Sequence, residues 1–293
     1  MMVIIVSLCA ACCFGCSDFF TMVGLRYSNS RSAILFTTIS GLLVAFAWSA
    51  YSHAWKFLNI RGVLFFVVAG VIGAYLARSL LYIGMEKVGV SIAVSLANTR
   101  TLFATLIAVL LLGERLTLTI AGATLLIIAG VMVISWDKSG GQIDKIRSKK
   151  DLIFPILAGL CYGFAYVQRK FGVDSVPSPL AGVLIQNTTA FLCFILASPL
   201  RRDHQRVEMR NARAWFFYGI SGILSFFANF FTFSALNIGD VIIVAPLVAL
   251  NPLFTLLLAI LFLKNVEQVT GKIFLGALFI IGGAVILSVM THR

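Results

Sequence analysis

The sequence predicts an all-α membrane protein of ten transmembrane helices, arranged as two inverted five-helix repeats. Three observations predict this fold class. Hydrophobic residues make up 60% of the 293 residues and charged residues only 12%, which is about half the charged fraction of a typical soluble domain. The chain contains ten apolar runs, each near the length of about 20 residues that crosses a bilayer as a helix. Features of the first half recur in the second half at a nearly constant spacing.

Each apolar run is assigned as a helix because a transmembrane strand needs only about half as many residues, and because lipid admits only helices and closed barrels. In chain order the predicted helices cover residues 3–24, 32–51, 62–84, 91–112, 118–136, 152–171, 180–199, 214–236, 241–263 and 271–290. Polar residues mark their borders: Arg26 and Arg31, Lys56 and Arg61, Glu114 and Thr117, and Arg169 and Lys170. We expect Arg169 and Lys170 to end the sixth helix and reach the membrane surface, and Thr117 to cap the fifth.

The net charge of +12 would fit a nucleic-acid-binding protein, but the positions of the basic residues exclude that class. Ten of the 23 lie in two short segments, residues 137–151 and 201–213. Most of the others border apolar runs, which is typical of loops that hold membrane helices in place. We therefore expect membrane lipids and a small-molecule substrate as partners, and no nucleic acid.

The two halves share a sequence pattern. The segment ERLTLTIAGATLLIIAGVMVIS starts at Glu114, and EQVTGKIFLGALFIIGGAVILS starts at Glu267. Upstream, Gly15 and Gly24 have the same spacing as Gly163 and Gly172. A repeat with five spans enters the membrane upside down in its second copy, an arrangement that recurs in transporters. We therefore predict a first repeat at residues 1–138, a basic connecting loop at 139–151 and a second repeat at 152–293.

Four cysteines lie close together in the first helix, in the stretch CAACCFGC at residues 9–16. Their spacing of i, i+3, i+4 and i+7 forms one stripe along a helix. One straight helix cannot bring four thiolates around a single tetrahedral ion. We therefore predict no metal site here, and interpret the stripe, with Gly15, as a small-residue face for close helix packing. Redox or metal chemistry is the alternative.

These features resemble the EamA-like transporters of the drug/metabolite transporter superfamily, over essentially the whole chain. The similarity lies in the ten runs, the two five-helix copies and the stretch LLGERLT…GATLLIIAGV. Gly113 and Glu114 fit the Gly-Glu pair that closes the fourth helix of a copy. In the second copy Glu267 lacks the preceding glycine. Pro252 matches the family's proline, where the first copy has Thr101.

The resemblance implies a secondary carrier of small metabolites, with a cavity lined by the first, third and fourth helices of each copy. We expect a monomeric exporter of a small polar metabolite, of amino acid or organic anion type, in the inner membrane of a prokaryotic cell. We expect no enzyme activity and no cofactor. The alternative is a membrane scaffold or sensor subunit that transports nothing. The family pattern places both termini inside, whereas the loop charges place them outside.

Polar residues within the apolar runs are the candidate site, because a charge in the hydrocarbon core costs about 2.5–3.5 kcal/mol on insertion scales. Arg100 and its repeat partner Asn251 lie near the middle of their helices, where a substrate site is expected. The guanidinium group suits carboxylate or phosphate. In the alternative, Arg100 is structural and is satisfied by backbone carbonyls and Asn98.

Asp18 and Arg78 each lie about six residues before the end of parallel helices, so we expect them at similar depth and able to pair. Asp18 would then bind a coupling proton, with exchange of a second substrate as the other form of coupling. The alternative is a static ion pair that fixes helix packing. Further candidates for substrate binding in the same cavity are Arg78, Asn98, Asn229, Tyr82, Tyr75 and Tyr166.

Overall fold

A computed structural model of the chain describes residues 1–52, 58–88, 90–137, 149–197, 211–262 and 271–290. All secondary structure in those ranges is helical, which confirms the all-α prediction for them. The α-helices are α1 (Met2–Gly24), α2 (Ser30–Ser52), α3 (Ile60–Ala69), α4 (Arg78–Val88), α5 (Val90–Ala97), α6 (Arg100–Leu112), α7 (Leu118–Asp137), α8 (Ile153–Ser175), α9 (Pro179–Ala197), α10 (Ala212–Ile238), α11 (Val241–Val248), α12 (Asn251–Phe262) and α13 (Gly271–Met290). A π-helical stretch, Gly70–Ala77, joins α3 to α4, and a 3₁₀ turn, Lys149–Leu152, precedes α8. Most of the predicted connecting loop at 139–151 lies outside the described residues.

Seven helical segments in the described ranges are long and apolar enough to cross a membrane. They are Met2–Gly24, Arg31–Ser52, Ile60–Met85, Lys150–Ser175, Pro179–Ala197, Ala212–Ile238 and Val241–Phe262. Shorter apolar helices cover Arg100–Leu112, Leu118–Ile134 and Phe274–Val289. The protein is therefore an integral multi-pass membrane protein.

Two of the predicted helices are each interrupted by a tight turn near the middle. Between α5 and α6, Thr99 N–H donates to the Leu96 carbonyl, 3.1 Å away, and the Thr99 hydroxyl binds the same carbonyl at 2.6 Å. Between α11 and α12, Leu250 N–H donates to the Leu247 carbonyl at 3.3 Å. A hydroxyl that binds the backbone bends a helix, and Pro252 in the second case has no N–H to continue it. As a result α6 begins at Arg100 and α12 begins at Asn251.

Helices α7 and α13 pack closely through glycines. A methyl group added at Gly130 would lie 2.7 Å from Cγ1 of Ile280, and one added at Gly283 would lie 2.6 Å from Cγ1 of Ile127. Residue numbers rise along α7 as they fall along α13, so the two helices are antiparallel. Both contacts join a glycine to an isoleucine at corresponding repeat positions, since Gly130 corresponds to Gly283 and Ile127 to Ile280.

The first helix of each half makes the same close contact with the other half. A methyl group added at Gly15 in α1 would lie 2.7 Å from the carbonyl oxygen of Asn251, and one added at Gly163 in α8 would lie 2.9 Å from that of Arg100. In both cases the side chain three residues further along also touches the glycine. The backbones at Arg100 and Asn251 are therefore held against α8 and α1 respectively.

Helix α1 is joined to α10 by hydroxyl groups. The Ser17 hydroxyl donates to the Ser221 carbonyl at 2.9 Å, and the Ser221 and Thr21 hydroxyls are 2.7 Å apart. Gly24 lies against the ring of Tyr218 further along the same contact. Hydrogen bonds between helices stabilise packing in lipid, where the hydrophobic effect gives little.

The cysteine stripe only partly matches its predicted packing role. Gly15 does make a close contact, but Cys9 is exposed and Cys12, Cys13 and Cys16 are partly exposed. The fully buried alanines of α1 are Ala10 and Ala11 instead. The prediction of close packing was therefore right for the glycine and wrong for Cys9.

Candidate functional site

Three predicted site residues form one hydrogen-bonded chain between helices of the two halves. Arg100 Nη2 at the start of α6 donates to Asn251 Oδ1 at the start of α12, at 3.1 Å. Asn251 Nδ2 donates in turn to Asp18 Oδ2 on α1, at 2.8 Å. The two helix breaks bring these groups together, because each break ends immediately before Arg100 or Asn251. The sequence predicted all three residues, but not this order of contacts.

The side chain of Asp18 has an accessible surface on α1, and its hydrogen-bond partner Asn251 lies at the break in another membrane helix. Asp18 follows Cys9 by nine residues, or two and a half helical turns, and so faces the opposite side of α1.

The expected ion pair between Asp18 and Arg78 is not formed. Asp18 binds Asn251 instead, and Arg78 acts on its charge only at longer range, with less effect than Arg100. Arg78 is half-buried at a groove between α2, α4 and α9, where Tyr75 and Thr38 also line the wall. The prediction failed because Asn251 offers two groups, one to each charged partner, and so lies between opposite charges.

Tyr162 on α8 is a site residue that the sequence interpretation missed. Its ring centre lies 5.9 Å from Cζ of Arg100, and Arg78 approaches its phenol group. Gly163, next in sequence, holds the backbone of Arg100 against α8. The sequence did contain a clue to Tyr162. It stands next to Gly163, and a glycine of the repeat pattern marks a helix that packs against the other half.

Arg169 also belongs to the interior, contrary to the expectation that it reaches the membrane surface. Only 7% of its surface is exposed. Its Nε donates to Gln186 at 2.8 Å, and Gln186 Nε2 lies 3.5 Å from Asn229 Oδ1. The rings of Tyr166 and Phe233 lie 5.3 and 5.4 Å from Cζ. The predicted helix ended too early, at residue 171, whereas α8 continues to Ser175. Arg169 therefore lies four residues, or about 6 Å, further from the end of the helix than expected.

Asn229 and Asn98 are both buried near this region, with 8% and 6% of their surfaces exposed. Asn229 lies in the network of Arg169 rather than in the chain of Arg100. The Nδ2 donor of Asn98 has no hydrogen-bond partner among the described residues. The structural alternative for Arg100 concerns the oxygen of Asn98, and it stays a prediction. Tyr82 lies on α4, but its side chain is outside the described residues.

The model of the EamA-like transporter family matches residues 1–136 and 149–289. The chain belongs to the EamA-like transporter family. The resemblance noted from the sequence is thereby confirmed, and this EamA-like protein is a membrane transporter.

Two individual comparisons agree with the family. A protein of Sinorhizobium sp named "Uncharacterized transporter in cobO 3'region" is 32% identical over 124 residues, which are 42% of this chain and 85% of that protein. A solved structure named only "Crystal structure of protein" has a TM-score of 0.80 over 99% of this chain and 98% of its own, at 16% identity. At that identity the similarity shows a shared fold and nothing more.

The Gly-Glu pair of this EamA-like transporter joins the two halves. Gly113 ends α6 with a φ of 69°, a left-handed conformation that suits glycine. Both oxygens of Glu114 then accept hydrogen bonds from the N–H groups of Val241 and Ile242 at the start of α11, each at 2.9 Å. Asp240 occupies the N-cap position of α11, but its side chain makes no capping bond. Glu114 therefore caps a helix 127 residues away.

Glu114 was predicted only as a residue of a loop and helix start. Burial raises the pKa of its carboxyl, and the two N–H groups partly oppose that shift. The predicted cap of α7 is confirmed, because Thr117 Oγ1 accepts a hydrogen bond from Ile120 N–H at 3.3 Å.

Proposed function

We propose that this EamA-like protein is a secondary transporter that moves a small polar metabolite, of amino acid or organic anion type, by alternating access. The observation that supports it best is the chain from Arg100 through Asn251 to Asp18. It joins helices of both halves at two helix breaks, and broken helices near the membrane midplane are where carriers bind substrate. A substrate that competes for Asn251 or Arg100 would loosen the contact between the halves.

The proposed architecture is ten spans in two inverted repeats, residues 1–138 and 152–293. Three facts support it. The family model matches two successive ranges of similar length. The Sinorhizobium relative is about half as long as this chain, since its match covers 85% of it but 42% of this chain. Finally, α7 and α13 are antiparallel and touch at corresponding repeat positions, as an axis in the membrane plane requires.

We further propose export as the direction of transport, a prokaryotic inner membrane as the location, and a monomer as the working unit. Asp18 is the proposed coupling residue, because its carboxylate has an accessible surface and is hydrogen-bonded to the neutral Asn251. Protonation of Asp18 would weaken the hydrogen bond that it accepts from Asn251, and this would alter the hydrogen bond between Asn251 and Arg100. Exchange of a second substrate remains the other form of coupling.

The test is flux in proteoliposomes, with a radiolabelled panel of amino acids and organic acids as probes. We expect saturable uptake by the wild type, and a large loss of uptake with Arg100→Gln and with Asp18→Asn. Arg115→Gln is the matched control, since Arg115 is an exposed arginine in the loop after α6. Size-exclusion profiles of each variant verify folding. Uptake that is unchanged in both site variants would overturn the site, and no uptake of any probe would favour the scaffold or sensor function.

The architecture has its own test. Reporter fusions after Ser139 and after Arg293 should lie on opposite sides of the membrane, because five spans separate them in the proposed topology. Reporters on the same side would refute it. The side on which Arg293 lies also decides between the family pattern and the loop charges.

A further inference from the structure

The interior of the bundle carries an imbalance of charge. Three arginines, Arg78, Arg100 and Arg169, lie within the helices, and the charges of Arg78 and Arg100 both act on Arg169. Among the described acidic residues, only Asp18 lies in this region, and the others are at helix ends or in connections. Three positive groups against one negative group leave a net charge of plus two. Such a charge in a membrane interior is costly unless a partner compensates it.

The groups that a ligand can reach are a subset of this cluster. Arg169 is buried and bound to Gln186, so it contributes its field without direct contact. Arg78 and Arg100 are half-buried, and both approach Tyr162. Cζ of Arg100 lies 5.9 Å from the centre of the Tyr162 ring, and Arg78 acts on the phenol group of the same residue. Each guanidinium presents a planar fork of N–H donors that fits carboxylate or phosphate oxygens.

The surrounding polar groups also favour negative charge. Oδ2 of Asp18 and Oδ1 of Asn251 already accept bonds within the chain. Asn98, two residues before Arg100, has a buried Nδ2 donor without a partner among the described residues. Arg100 is also the first residue of α6, whose 13 residues direct the positive end of their dipole toward this region. An anion that enters this region therefore meets positive charge and an unused N–H donor, beside the one carboxylate of Asp18.

We propose that the substrate is a small organic dianion, a dicarboxylate or a phosphate monoester, with its charges shared between Arg78 and Arg100. This assignment rests on the transport function proposed above. A zwitterionic amino acid would place its carboxylate on Arg100 and its ammonium group on Asp18. It would add no net charge and would leave the imbalance of plus two uncompensated.

The test compares ligands of one size that differ in charge. The purified protein is titrated with succinate, glycerol 3-phosphate, butyrate and alanine, and binding is measured as thermal stabilisation. We expect one of the two dianions to bind at least about tenfold more tightly than butyrate or alanine. Succinate and glycerol 3-phosphate then distinguish the dicarboxylate from the phosphate ester. We also expect the dianion that binds to undergo counterflow in proteoliposomes.

Variants assign the two charges. Arg78→Gln and Arg100→Gln should each weaken dianion binding by about 10- to 100-fold, the effect of losing one charge-assisted pair. Arg115→Gln should leave it unchanged. Where a glutamine variant does not fold, Arg78→Lys or Arg100→Lys keeps the charge but loses the fork, and weaker binding is again expected.

The outcomes separate this proposal from the transport function. Arg100-dependent counterflow of alanine, with no response to either dianion, would overturn the dianion assignment and leave transport standing. Dianion binding without counterflow would support the substrate class and contradict transport. A preference for butyrate equal to that for the dianions would also overturn the assignment.

Discussion

Replacing Glu114 by alanine tests whether a side chain of the first half caps a helix of the second. The substitution removes both hydrogen bonds to the start of α11, each 2.9 Å long. A hydrogen bond to a charged acceptor contributes about 1.5–3 kcal/mol, and loss of an N-cap costs about 0.5–2 kcal/mol. Relief from burying the carboxylate offsets part of this. We expect Glu114→Ala to lower the free energy of unfolding by about 1–3 kcal/mol.

The assay is reversible unfolding in mixed micelles, followed by tryptophan fluorescence. Glu114→Gln is the intermediate variant, because its amide oxygen can still accept from one of the two N–H groups. Asp240→Asn is the local control, since Asp240 occupies the N-cap position but makes no capping bond, and we expect a small effect. The reasoning is refuted if Glu114→Ala is within about 0.5 kcal/mol of the wild type, or if Asp240→Asn costs as much.

The same side chain predicts a dependence of stability on pH. Burial raises the pKa of Glu114 above its ordinary value of 4.5, with a further increase from Asp240 and an opposing effect of Lys170. The folded protein thus holds this proton more tightly than the unfolded chain does, and the resulting stabilisation is lost as pH rises through the folded-state pKa. As the pH rises from about 4 to about 8, we expect the free energy of unfolding of the wild type to fall relative to that of Glu114→Gln, which carries no proton to lose at this position. A wild type that becomes more stable relative to Glu114→Gln as the pH rises would contradict the raised pKa of Glu114.

Two further predictions concern helix packing. Gly163→Ala would place a methyl group 2.7 Å from the Ala104 nitrogen, so we expect it to lower stability by about 1–3 kcal/mol; Gly122→Ala, which meets nothing within 4 Å, should be neutral or stabilising by up to about 1 kcal/mol. Equal effects would show that the close contact is unimportant. Ser221→Ala removes the contacts of the Ser221 hydroxyl with Ser17 and Thr21 on α1 but leaves the bond from the Ser17 hydroxyl to the Ser221 carbonyl, and it should cost about 0.5–2 kcal/mol. Ser234→Ala, whose hydroxyl binds only its own helix at Phe230, should cost less, and the reverse order would refute the role of the interhelical bonds.

Composition and hydrophobic length were enough to predict the helices, because lipid leaves the backbone few other choices. The predicted runs differ from the described helices mainly at their ends. The breaks before Arg100 and Asn251 were harder to foresee, since Pro252 signals one of them and the first copy has no proline. There the break is accompanied by the Thr99 hydroxyl, which binds the Leu96 carbonyl. A single threonine in a helix gives no such signal.

The candidate site was predictable in its members but less so in its contacts. Unpaired charge in an apolar run identified Asp18 and Arg100, because such residues are expensive in lipid. The cost of a charge in lipid does not show which residue it pairs with. We expected Arg78 to pair with Asp18, whereas Asp18 accepts a hydrogen bond from Asn251 in the structure. The same criterion also passed over Arg169, because an arginine near a helix end can reach the surface by extending its side chain. An error of four residues in the helix end was enough to reverse the conclusion.

The two halves use the same packing but different chemistry, and this difference is what gives the site its charge. Gly15 and Gly163 make equivalent backbone contacts with the opposite half. Three residues after each glycine, however, stand Asp18 in one copy and Tyr166 in the other. Arg100 likewise corresponds to Asn251. Close backbone contact requires only the absence of a side chain, so both copies can keep it, whereas two arginines or two aspartates facing each other would repel. The two halves therefore share these backbone contacts while their polar groups differ, and the proposed site takes its positive charge from Arg100 and its carboxylate from Asp18.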